Sequence, residues 1–337
     1  MKKKSPVPVM ILLAAPWVIG LVVFASIVYG SKNIDFETIR QSLTQFDVGN
    51  VNHQIIVHSR IPRAIGALLI GAFLGISGAI MQGMTRNFLA SPAIIGVSDG
   101  SAFMITLCMI LLPNASSMAL MVFSFIGSAF GILLVFGIAS MLPNGLSPVK
   151  MALIGTIIGT FLSSVSAALA NYYQISQDIS FWYNARLHQL NPTHIKIVIP
   201  FAIIGILGAV LLSKSITILS LGEEVAIGLG QNTTTIKILG MGVVVILTGA
   251  SVALVGKVGF VGLVIPHIVR MLVGIDYKWI IPCAGVMGGV FLVLADILGR
   301  FLNHPFETPI GVVTSLIGVP FFLYLARKKG GAKHGQA

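Results

Sequence analysis

Side chains that could do chemistry are sparse in this chain, so the few that recur at telling spacings stand out. Among 337 residues there are 10 acidic and 21 basic side chains and 7 histidines. Asp296 precedes Arg300 by one helical turn, the spacing that sets opposite charges on one face of a helix. Arg60 and Arg63 flank Pro62, which suits a first helical turn, so the two arginines are expected to project together from a helix start. Cations there oppose the helix dipole, a small cost that a carboxylate from another molecule could offset. The simpler alternative is interfacial anchoring for Arg60 and Arg63 and an internal ion pair with Asp296 for Arg300. Ser220-Leu221-Gly222-Glu223 has capping-box spacing and predicts a short helix opening at Ser220. Gly228 and Gly230 would stop that helix, and Asn232 or Thr233 would cap the next one. With Glu224 alongside Glu223, this segment is either a docking surface for a positively charged groove or an ordinary solvated loop.

Other chemistry is missing. No GxxxxGK[ST] occurs, since Gly256-Lys257 is followed by Val258 and lacks the upstream glycine, so any ATP must be bound by another chain. Cys108 and Cys283 both lie in apolar runs without ligand spacing, which predicts neither a disulfide nor a metal site. His267 follows Pro266 with no second ligand at helical spacing and is expected to be a packing or capping residue. Neither a cofactor nor catalysis by this chain is expected. Asp99 and Asp296 are the acids within or bordering apolar segments, and neither is expected to have a mid-membrane partner. An ion-coupled carrier would need such buried carboxylates or a histidine relay.

The elements that must position these residues follow from composition. The chain is 56% hydrophobic and 9% charged, against roughly 25% charged for soluble domains, with a mean hydropathy of +0.97. It is therefore an all-α integral membrane protein, read as one transmembrane domain over residues 1–337. The apolar residues come in continuous runs, not in alternation, which excludes a β-barrel. A helix crosses the membrane with about 20 residues, and ten spans are expected: Val9–Tyr29, Ile61–Met84, Ala93–Leu112, Met118–Leu142, Lys150–Ala170, Ile195–Leu212, Thr235–Val255, Phe260–Val273, Trp279–Leu298 and Ile310–Ala326. The net charge of +11 is scattered over loop ends with no long stripe, which argues against nucleic acid. With the N-terminus inside, 13 basic residues fall inside and 8 outside, Lys257 among the latter, so both termini are placed in the cytoplasm. Residues 213–237 are then a cytoplasmic loop, and 31–60 and 171–194 are outer segments, the second with Trp182 and Tyr183 at the interface. Lys2 to Lys4 before a long apolar run mark an uncleaved first span. Gly71/Gly75, Gly155/Gly159 and Gly285/Gly289 are spaced to let helices approach closely. The break at Gly256–Gly259, with Pro266 beyond it, predicts bent or partial helices.

The stretch Gly259-Phe260-Val261-Gly262-Leu263-Val264-Ile265-Pro266-His267-Ile268-Val269-Arg270 resembles the FecCD family of ABC-importer permeases, which take up iron-siderophores, haem and cobalamin. Further matches run along the chain: Arg60-Ile61-Pro62-Arg63, Ser77 to Gly83, Arg86 to Pro92, Leu219 to Glu224, Ala295 to Arg300 and Glu307 to Gly311. The resemblance implies a BtuC-like, type II permease in the cell (plasma or inner) membrane, translocating an iron(III)-siderophore. Its implied partners are a second permease subunit, the same or a paralogous chain, two ATP-binding-cassette ATPases and an external substrate-binding (lipo)protein. Cobalamin or haem import by the same architecture remains an alternative, as does an ion-coupled secondary transporter. The resemblance further implies that Ser220, Leu221, Gly222, Glu223 and Glu224 belong to a coupling helix that docks on the ATPase. It assigns Arg60, Arg63 and Arg300 to docking of the binding protein, and Asn87 and Leu89 to a cytoplasmic gate. Two departures stand out. The family's R-N-P-L-A-D-P reads Arg86-Asn87-Phe88-Leu89-Ala90-Ser91-Pro92, and its W-x-x-G-S-L reads Trp182-Tyr183-Asn184-Ala185-Arg186-Leu187.

Overall fold

The structure is a computed structural model that describes residues 6–30, 34–88, 90–92, 96–143, 148–183, 187–190, 192–303 and 306–331. Its described residues form α1 (Val7–Val28), α2 (Phe36–Thr44), α3 (Val51–Ile55), α4 (Ile61–Thr85), α5 (Val97–Leu111), α6 (Ser117–Met141) and α7 (Pro148–Tyr172) in the first half. The second half holds α8 (Ser176–Tyr183), α9 (Pro192–Leu221), α10 (Glu223–Gly228), α11 (Thr233–Val255), α12 (Val261–Val273), α13 (Tyr277–Leu302) and α14 (Ile310–Gly331). Among the described residues, seven helical stretches are long and apolar enough to span a bilayer, and α5, α12 and α14 contribute shorter apolar stretches, which accounts for the ten expected segments.

The expected start at Ile61 coincides with that of α4, but it is not a free helix end. Arg60 and Arg63 do not stand at a free helix start, because helix is continuous over Val51–Thr85. Pro62 has no N–H to donate, and the turn before it, Ile56–Arg60, is a π-helix whose wider hydrogen bonding accommodates the defect.

In lipid there is no hydrophobic force between helices, so association depends on close packing at small residues. The central contact is α4 against α13, where Gly71 meets the Gly288 carbonyl and Gly75 the Ala284 carbonyl. Farther along α4, a Cβ on Gly78 would overlap the backbone of Gly262 in α12. Gly159 packs on the carboxylate of Asp99 and not on a helix backbone.

These contacts fix depth. Gly262 lies against Leu74 and Gly78, the middle of α4, so α12 begins near the centre of the bundle and is a half-helix. Likewise Gly100 meets Gly127 and Gly131, the middle of α6, so α5 also begins at mid-depth. The expected start at Ala93 lies outside the described residues, and Gly96, with a φ of 78°, precedes the helix described from Val97. The loops before both half-helices enter the bundle, where Ser91, Pro92, Gly256 and Phe260 line one small cavity with Leu74 and Ser251. Irregular backbone at that depth is tolerated because protein, not lipid, surrounds it. Lys257 therefore does not sit outside, as loop charge alone suggested. Its ammonium lies 3.8 Å from Asp99 Oδ1.

Candidate functional site

Arg60, Arg63 and Arg300 converge at one end of the bundle, and all three are buried. Arg63 Nε donates to both carboxylate oxygens of Asp296 at 3.0 and 2.9 Å, and its Nη1 donates to Glu307 at 2.7 Å. Arg300 donates to the same Asp296, the expected one-turn ion pair, and reaches across to Ser26 O at 2.6 Å and Tyr29 O at 2.7 Å. Arg60 Nη1 donates to Ile27 O and Val28 O at 2.6 and 3.0 Å. Two arginines thus satisfy the carbonyls at the C-terminal end of α1, where the helix dipole is negative and its last C=O groups have no partners in the helix. This accounts for the cations gathered at this end of the bundle. The dipole cost anticipated from a helix start does not arise, since the arginines serve the C-terminus of another helix.

At the opposite end, the segment between α9 and α11 differs from its sequence reading. Ser220 caps nothing: it lies within α9, and its hydroxyl donates to Thr217 O at 2.7 Å. The N-cap of α10 is Gly222, whose φ of 142° and ψ of 146° fall where only glycine is comfortable, so the sharp turn displaces the capping box. Glu223 turns instead to Lys237 Nζ at 2.7 Å and to the Thr233 hydroxyl at 3.1 Å, stapling α10 to α11. The hydrogen bond from Lys237 holds the Glu223 carboxyl below the usual carboxylate range. Asn232 caps α11 through the Thr235 N–H, as expected. Glu224 is exposed, and so are Leu221, Val225, Ile227 (59%) and Leu229 (64%), while Ala226 anchors the helix in the bundle. The exposed face is mainly apolar. Sequence reading weighed the acids and missed this, although the V-x-I-x-L alternation in a polar loop was the available signal.

The gate segment is partly described. Asn87 O accepts from Ala90 N at 3.1 Å, which closes a turn, whereas Leu89 and Arg186 lie outside the described residues. Phe88, at the position of the missing proline, lies under the Arg270 guanidinium at 4.2 Å and edge-on to His267. Arg270 also donates to Tyr277 Oη at 2.8 Å, and His267 packs on Phe321. Phe88 thus ties the turn to α12, a role the sequence did not single out.

A helical bundle with two interior half-helices, a buried arginine cluster at one end and an exposed apolar helix at the other defines a multi-pass membrane protein. Residues 18–328 match the FecCD transport family, and the chain belongs to that family. It is 59% identical over 325 residues to the "Iron-uptake system permease protein FeuB" of Bacillus subtilis (strain 168), covering 96% of this chain and 97% of that one. The "Iron(3+)-hydroxamate import system permease protein FhuB" of the same organism is 46% identical over 95% of this chain and 84% of its own. Among solved structures, one described as "An inward-facing conformation of a putative metal-chelate type ABC transporter" superposes with a TM-score of 0.83 at 29% identity, covering 95% of this chain and 99% of that one.

Proposed function

We propose that this chain is the permease subunit of an ATP-driven importer that carries an iron(III)-siderophore through the cell membrane into the cytoplasm. The observation that carries this reading is the 59% identity, over nearly the whole length of both chains, to a protein named as an iron-uptake permease. The exposed apolar α10 supports a coupling role for residues 213–237, since Val225, Ile227 and Leu229 would be buried by an ATPase groove. Glu223 then stiffens the coupling helix and Glu224 meets the groove. The arginine cluster supports docking of an external binding protein with a particular geometry. Glu307, whose side chain is 28% exposed, is the outermost carboxylate on Arg63, and a partner carboxylate would take its place. Asn87 and Leu89, with Phe88 between them, form the cytoplasmic gate. A second permease subunit, the same or a paralogous chain, completes the path.

The Asp99–Lys257 pair is the feature that would favour an ion-coupled carrier instead. Reconstitution decides between them. Proteoliposomes holding the permease pair, the ATPases and the binding protein are expected to accumulate radioactive iron as a siderophore complex only with ATP. Uptake by permease alone, driven by a proton or sodium gradient, would overturn the reading. Tight binding of cobalamin or haem, and not of a ferric siderophore, by the external protein would move the substrate to those ligands.

A further inference from the structure

Among the described residues, Lys257 is the one charged residue common to three open cavities. The largest, about 800 Å³, lies along α14 and is lined by Phe260, Val312, Ser315 and Leu316, with Lys257 its single charged residue among those described. The second, about 470 Å³, runs along α7 past Thr156, Thr160, Ser163 and Ser164, a hydroxyl stripe on one helical face. The third, about 320 Å³, continues beyond Ser163 towards Ser176 and Ser180 of α8. Asp99 lines the second and third, but not the first.

The two charges are held unequally. Asp99 rests on Gly159, accepts from the Ser163 hydroxyl at 2.9 Å, and its side chain is only 20% exposed. The Lys257 side chain is 51% exposed, and its ammonium stands 3.8 Å from Asp99, beyond hydrogen-bond length. The carboxylate is held by a hydrogen bond, and the ammonium is joined to it by the longer ion pair. A half-exposed ammonium at mid-depth is too costly against lipid and belongs to a wet cavity or path. The backbone on either side of it also requires a protein-lined space, since Gly256 and Phe260 both have positive φ and leave the ladder of helical bonds open there.

We propose that Lys257, positioned by Asp99 and flanked by the α7 hydroxyl stripe, is a binding station for anionic iron(III) chelates halfway along the translocation path. The inference rests on the importer reading for its ligand, but not for its electrostatics. An incoming chelate draws the ammonium from Asp99, which keeps its bond to Ser163, while the hydroxyls of Thr156, Thr160 and Ser164 meet the ligand's oxygens. When the chelate leaves, Asp99 recovers the ammonium, so the station holds the anion without trapping it.

A test that needs no transport is charge-selective labelling of Thr160→Cys in the assembled complex, using anionic and cationic methanethiosulfonate reagents. Cys108 and Cys283 are buried and are left in place. Lys257→Gln is expected to lower the ratio of anionic to cationic labelling rates by about tenfold, the lower end of what focused fields do to local ion concentrations. Lys257→Arg should keep the ratio. An unchanged ratio, or no labelling of Thr160→Cys by either reagent, overturns the station. The second arm is ATP-driven uptake of an anionic ferric tris-catecholate per mole of assembled complex, expected to fall about tenfold in Lys257→Gln and to recover in Lys257→Arg. A normal uptake rate in Lys257→Gln likewise overturns the proposal. If wild-type complex moves no iron chelate at all, the importer reading fails by itself, and the labelling ratio still decides whether the station exists.

Discussion

Arg63 and Asp296, 233 positions apart in the chain, form a buried pair in which one nitrogen of the guanidinium is shared between both carboxylate oxygens. Because Asp296 also holds Arg300, which in turn holds the end of α1, this pair ties α4, α13 and α1 into one unit. Removing one member strands the others in a space with little water, which typically costs about 3–5 kcal/mol. Asp296→Asn is therefore expected to lower the thermal unfolding midpoint of the purified complex sharply, read by size-exclusion chromatography after heating. A midpoint equal to wild type would show that the cluster bears no structural load.

Docking makes a separate demand on the same cluster. Arg63→Ala or Arg300→Ala should weaken binding of the external protein at least about tenfold, or ~1.4 kcal/mol, with basal ATPase activity intact in the fraction that stays folded. Glu307→Gln should do the reverse, leaving affinity equal or tighter because it frees Arg63 for the partner. Affinity in nanodiscs at two salt concentrations checks both. Loss of affinity in Glu307→Gln would place the docking contact on Glu307 itself.

The coupling helix should be more sensitive to loss of its apolar face than of its acids. Ile227→Asp and Leu229→Asp are expected to prevent co-purification of the ATPase, each by burying an unpaired charge in the groove. Reversing Glu223 and Glu224 together to lysine should uncouple ATPase stimulation from transport or block assembly, since like charges brought together cost several kcal/mol. Normal assembly and transport by all three variants would remove α10 from the interface.

The Glu223–Lys237 staple carries a pH signature of defined sign. Glu223 has a depressed folded pKa, so its contribution is complete above the ordinary carboxylate value of 4.5 and is lost as pH falls through the lower folded value. The pair is partly exposed, so the contribution is expected to be at most about 1 kcal/mol. Hydrogen exchange over 223–237 should therefore be flat from neutral pH down to that range, then accelerate beyond the intrinsic trend. Lys237→Met should abolish the acceleration.

At the gate, cysteines at Asn87 and Leu89 are expected to react more slowly with a thiol reagent in the state closed to the cytoplasm. Phe88→Ala removes the face on which Arg270 rests, an interaction of roughly 0.5–2 kcal/mol, and should raise labelling of both cysteines in that closed state. Equal labelling in nucleotide-free and nucleotide-trapped complexes would count against a gate at this turn.

Features that depend on neighbours in the chain were legible from the residues alone. Long apolar runs set the number of spans, and the Asp296–Arg300 spacing announced its own ion pair, because both depend only on residues near each other in the chain. Asn232 as the cap of α11 was legible for the same reason. Tertiary structure decided depth and partnership. The break at Gly256–Gly259 announces a partial helix, but charge bias alone puts Lys257 outside, whereas packing of Gly262 on Gly78 starts α12 halfway and brings the lysine to Asp99. Ser220 and Glu223 matched a capping box, yet the conformation of Gly222 and the nearness of Lys237 drew them apart. Arg60 and Arg63 looked like free cations at a helix start until α1, α13 and Glu307 surrounded them. A charge in a membrane protein takes whichever partner the packing of small residues brings within reach, and that packing joins segments hundreds of residues apart.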